Sequence, residues 1–178
     1  LPIFIGDVLN TLAVAAVIAW HSPTPPFLAW LAIEIVICSA RLAVLLVARR
    51  NALVGRPTPT DLNIILAVAW SASVGYGVLV SLASADWVVA TLACLSTGAM
   101  VGGVCFRNFS APRLSGMMIV LSMGPTLPGA WIAGEPLMLV VGLQIPLYLI
   151  AMTAACFKLN RMLIATMRAE RENDYHAR

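Results

Sequence analysis

This sequence has little charge. Lys, Arg, Asp and Glu make up 11% of the 178 residues, where a soluble domain carries about 25%. Hydrophobic residues make up 61%, and mean hydropathy is +0.92. No polar shell is left to cover a soluble core, so the chain reads as an integral membrane protein. Lysine is scarcer still: Lys158 is the only one, and it follows the last apolar run. That excludes the buried amine a retinal Schiff base requires. The two histidines, His21 and His176, fall at a loop and in the tail, which leaves a haem or metal centre without ligands. Carboxylates do not pair at a common depth, as hydrolytic acid–base chemistry needs. No Gly-rich phosphate loop is present. Cys38, Cys94, Cys105 and Cys156 show no CxxC or ligand spacing and read as small apolar packing residues. The basic residues form no patch interleaved with aromatics, so nucleic acid is not an expected partner. The fragment thus offers no catalytic residue, no metal site and no cofactor site of its own.

What is present is a set of six apolar runs, about 3–21, 27–48, 62–83, 87–106, 116–133 and 137–157. Each is near the roughly 20 residues that a membrane helix requires. The expected fold is all-α: a polytopic membrane protein with six transmembrane helices in three hairpins, followed by a C-terminal signalling helix. Residues 1–157 are expected to form a transmembrane domain and 158–178 a helix that follows it. The chain opens on Leu1 and ends inside a helical pattern, which predicts a piece of a longer protein.

Every Lys and Arg falls on one side of this topology: Arg41, Arg49, Arg50 and Arg56, then Arg107 and Arg113, then Lys158 and the tail. Basic residues resist translocation. That side is therefore expected to face the cytoplasm, with both termini inside. Small residues recur at helix-packing spacing in Ser71/Gly75, Ser73/Gly77, Gly98/Gly102 and Ala99/Gly103. Such pairs allow close backbone approach. Pro125 and Pro128 are expected to bend the fifth span and Pro146 the sixth, because each removes a backbone donor.

Three ionisable residues lie inside spans, where they are costly. Asp7 and Arg41 have compatible depths and are expected to form a structural pair, unless Arg41 instead snorkels to the interface. Glu34, Tyr76 and Gln144 each lie seven residues from the non-basic end of their span, a shared layer about 10 Å deep. Trp30 lies one helical turn from Glu34 on the same face. These four residues either line a pocket for a small or lipid-like ligand or form a self-satisfied hydrogen-bond cluster. Matched depth does not fix helix rotation, and both readings stay open.

After the last span, Leu159, Met162, Thr166, Ala169, Asn173 and His176 follow a 3-4 spacing that suits a parallel homodimer. The run from Met167 to Arg178, Met-Arg-Ala-Glu-Arg-Glu-Asn-Asp-Tyr-His-Ala-Arg, resembles the signalling helix of bacterial membrane-bound diguanylate cyclases, the GGDEF family. The six-span bundle with short loops likewise resembles the membrane sensor regions that precede such domains. The resemblance implies an output domain, beyond these residues, that joins two GTP molecules into cyclic di-GMP with Mg. It implies a dimer, with Pro146, Met162, Ala169 and Asn173 relaying the signal. The same kind of helix also feeds histidine kinases and adenylate cyclases. A small hairpin-repeat transporter and a plain anchor are the remaining readings.

Overall fold

A computed structural model describes residues 2–176 of the chain, with side chains for 6–138 and 140–172. The described residues are helical throughout, joined by short links: α1 Pro2–His21, α2 Pro25–Leu53, α3 Thr60–Ala83, α4 Trp87–Asn108, α5 Pro112–Met123, α6 Thr126–Ala133 and α7 Pro136–His176. Five stretches are long and apolar enough to cross a membrane, with α5 and α6 together counting as one, and the described part of α1 is a shorter apolar helix.

Proline and glycine set the boundaries. Pro25 and Pro112 open α2 and α5, where a missing N–H costs nothing and the fixed φ suits a first turn. Gly134 ends α6 with a φ of +71°, a left-handed conformation that favours glycine. At α4 the cap is Asp86, whose Oδ1 accepts hydrogen bonds from the amides of Val88 at 3.0 Å and Val89 at 3.3 Å. His21 Nε2 lies 3.1 Å from its other carboxylate oxygen, tying two turns together. The backbone bonds, that from Val89 foremost, hold the Asp86 carboxyl below its ordinary value of 3.8. A carboxylate depressed in the folded state adds stability above its unfolded pKa and loses it as the pH falls through the folded value. The stability advantage of the wild type over Asp86→Ala is therefore expected to be full at neutral pH and to shrink in strong acid. Paired thermal-unfolding curves across pH 2–7 check this.

The fifth expected span is broken rather than bent. Pro125 cannot donate to the Leu121 carbonyl, so α5 stops at Met123 and α6 restarts at Thr126. Leu127 N donates to Gly124 O at 3.0 Å and Gly129 N to Pro125 O at 3.1 Å. Pro128 falls in the first turn of α6, where its missing N–H breaks nothing. By contrast, α7 runs through Pro146 without interruption.

At the centre lies α3, which packs on α2, α4, α5 and α6. Its small residues make this possible. A Cβ at Gly75 would collide with the Leu121 carbonyl and the Pro125 ring, and one at Gly77 would collide with the Trp30 indole. The Leu121 carbonyl, to which Pro125 cannot donate, thus faces Gly75, an α3 position with no side chain.

Short links place the end of α2, the start of α3, the end of α4 and the start of α5 together, making one basic end with Arg49, Arg50, Arg56, Arg107 and Arg113. At the opposite end stand Trp20, Trp87 and Trp131, at least 72% exposed. Indoles in that position match the aromatic belt of a membrane interface. Leu, Ile and Val side chains cover the outside, while Asp7, Glu34 and Arg41 are buried. Apolar outside and polar inside is the arrangement expected of a protein whose solvent is lipid.

Candidate functional site

The buried face of α2 carries Phe27, Trp30, Glu34, Cys38, Arg41 and Val44. Steps of three and four keep them on one side of a helix. Two apolar clusters meet there. One, toward the basic end, includes Cys38, Trp70 and Val74. The other, toward the opposite end, includes Trp30, Phe27 and Val78. Glu34 lies at their seam with no exposed surface.

Ser73 of α3, with Cys38 and Trp30, forms the polar surroundings of the Glu34 carboxyl. Cys38 Sγ is 3.6 Å from Oε2. Oε1, Ser73 Oγ and Trp30 Nε1 stop short of hydrogen-bond geometry. A carboxyl buried among apolar side chains needs donors, and these two groups are placed to supply them after a small rotation. Tyr76 packs, partly buried, against the Trp30 cluster. Gln144 does not join them: it is exposed on α7, which turns Ile145 inward instead. Of the four residues expected to share a layer, Trp30 and Glu34 come together, Tyr76 flanks them and Gln144 points away.

One turn beyond Cys38, the Arg41 guanidinium stacks on the face of Trp70, 4.6 Å from the ring centroid. It lies within electrostatic reach of Asp7, Glu34 and Arg107. The direct ion pair is a different one from the expected Asp7–Arg41. Arg107 Nη1 donates to Asp7 Oδ2 at 2.6 Å, and Gly103 leaves room for the other oxygen of that carboxylate. The reason is packing order: α1 lies against α4 as well as α2, so the last turn of α4 turns Arg107 inward. Sequence reasoning placed Arg107 with the loop charges, and no local signal distinguishes an arginine that exits from one that folds back. Trp70, Ser73 and Arg107 are thus the site residues that the sequence did not single out.

The tail positions are placed more simply. Leu159 packs on the bundle, Asn160 donates to the Ser110 carbonyl at 3.2 Å, and Met162 and Ala169 are exposed. The side chain of Asn173 lies outside the described residues. No grouping of His, Cys, Asp and Glu able to hold a metal occurs among the described residues.

A helical bundle with an apolar exterior, polar side chains inside from Glu34 to Arg107 and five stretches long and apolar enough to cross a membrane is compatible with a polytopic membrane protein. No family model, curated protein or solved structure matches the chain.

Proposed function

We propose that the chain is the membrane sensor or anchoring region of a bacterial signalling protein, and that α7 passes its state to a cytoplasmic output domain. The observation that carries this reading is the continuity of α7. A single helix of 41 residues, about 60 Å long, begins beside the Trp-bearing turns, packs on α4, α5 and α6, and runs on past Asn160 with exposed side chains. A change in helix packing at one end would displace the other end as a unit. The basic end faces the cytoplasm in this reading, with six spans in three hairpins and both termini inside. The resemblance of residues 167–178 to the signalling helix of GGDEF proteins makes cyclic di-GMP synthesis the favoured output. Histidine kinase or adenylate cyclase outputs use the same helix.

The bundle has two packings, and a ligand or membrane state shifts the balance by its differential affinity for them. The Glu34–Ser73–Trp30 seam, where hydrogen bonds can close by small rotations, is where the two packings would differ. Gln144 fits the dimer that such an output requires. It lies about five helical turns before Met162, so both residues occupy one exposed face of α7. An amide exposed at membrane depth finds its partner most readily on another helix.

Membranes carrying the full-length protein are expected to convert GTP into cyclic di-GMP. Glu34→Gln is expected to change that rate by severalfold without changing the amount of protein. A phosphohistidine formed from ATP instead would point to a kinase. Solute uptake with neither reaction would favour the transporter reading.

A further inference from the structure

At the basic end, α2, α3, α4 and α5 part around a cavity of about 320 Å³. Its polar lining residues are Arg41, Arg107, Asn63 and Asn108, and its apolar lining includes Leu114 and Met118. Both arginines are held from behind. Arg41 lies flat on Trp70 and Arg107 is anchored by Asp7. They are also within electrostatic reach of each other, so like charges from two helices converge on one space. Asp7 and, further along α2, Glu34 are the carboxylates that face them.

We propose that this cavity binds a phosphate group, presented either by the headgroup of an anionic phospholipid or by a soluble phosphate ester. Guanidinium forks match phosphate oxygens, and two carboxamides add N–H donors. Four donor side chains from three helices suit a group with several acceptor oxygens better than a carboxylate with two. Basic pockets between membrane helices near the interface are suited to anionic headgroups. The apolar wall fits the carbon stem of an ester rather than a bare ion, and the volume is at the lower end of the range of small-molecule sites, about 300–1,000 Å³. This inference does not depend on which output α7 drives.

The test is native mass spectrometry of the full chain released from detergent, after incubation with phosphatidylglycerol or phosphatidylcholine of the same acyl composition. The second arm measures the shift in thermal unfolding with glycerol 3-phosphate or inorganic phosphate. One phosphatidylglycerol is expected to stay bound per chain, roughly tenfold in preference to phosphatidylcholine. The variant Asn63→Asp places a negative charge at the cavity rim. Asn63 is exposed in the first turns of α3, where an acidic residue suits the helix dipole, so folding is retained while binding is expected to fall by roughly tenfold. Retained phosphatidylglycerol that soluble phosphates do not displace identifies the lipid as the source. A saturable shift by glycerol 3-phosphate without lipid retention identifies a soluble ester. Equal retention of the two lipids with no phosphate shift, or binding that a folded Asn63→Asp leaves unchanged, overturns the proposal.

Discussion

Gly77→Ala is expected to destabilise the bundle, whereas Gly102→Ala stabilises it. In a helix interior Ala is better than Gly by about 1 kcal/mol, so an unobstructed site gains from the change. At Gly102 an added Cβ meets nothing within 4 Å, and the propensity gain stands. At Gly77 the same atom collides with Cε2 and Cζ2 of the Trp30 indole. The indole is rigid, 2% exposed and held between α1, α2 and α3, so it has nowhere to rotate. Overpacking of this kind costs about 1–3 kcal/mol, enough to reverse the sign. The measurement is thermal unfolding of both variants in one detergent, with a drop of roughly 3–10 °C for Gly77→Ala. Trp30→Leu provides the decisive comparison. It removes the ring, so Gly77→Ala introduced on top of it should cost little or even stabilise, with a coupling of about 1–3 kcal/mol between the two sites. Additive effects would mean that Gly77 serves something other than seating the indole.

How much of this the sequence made legible follows from which forces are local. Hydropathy, helix length and turn residues depend on neighbours in the chain, so the apolar helices, their approximate ends and the basic end were readable. Gly75 and Gly77 stood out by spacing alone, and Pro125 as a place of disturbance by the chemistry of its ring, although a bend and not a break was expected there. Rotation about a helix axis was not readable, because it is set by helices far away in sequence. Glu34, Tyr76 and Gln144 share a depth, yet α7 presents Ile145 rather than Gln144 to the bundle. Arg107 looked like an exit charge because the α1–α4 contact that turns it toward Asp7 joins residues 100 positions apart. Depth could be counted along each helix. The Glu34 surroundings needed the rotation of α3 as well, which alone puts Ser73 and Gly77 against α2.

Asp7→Leu is expected to cost more than any change at the bundle surface. The carboxylate is 8% exposed, bonded to Arg107 at 2.6 Å and within electrostatic reach of Arg41. Removing it takes away the carboxylate that Arg107 bonds, at a place where a second guanidinium lies within electrostatic reach. Breaking a buried pair from one side costs about 3–5 kcal/mol, whereas replacing both partners by apolar residues of similar size is often neutral. Asp7→Leu combined with Arg107→Met should therefore recover most of the stability lost by Asp7→Leu alone. Thermal unfolding of the two single variants and the double variant measures this directly. The milder Asp7→Asn ties the pair to the cavity. It keeps the side-chain shape and removes one negative charge, so a phosphate bound between Arg41 and Arg107 should be held more tightly. A ligand that binds only the folded state stabilises it in proportion to the logarithm of its concentration over its dissociation constant. Added glycerol 3-phosphate should then raise the unfolding temperature of Asp7→Asn by more than that of the wild type. If the two respond alike while Asp7→Leu still collapses, the Asp7–Arg107 pair is a structural clasp and the cavity beside it does not hold the anion.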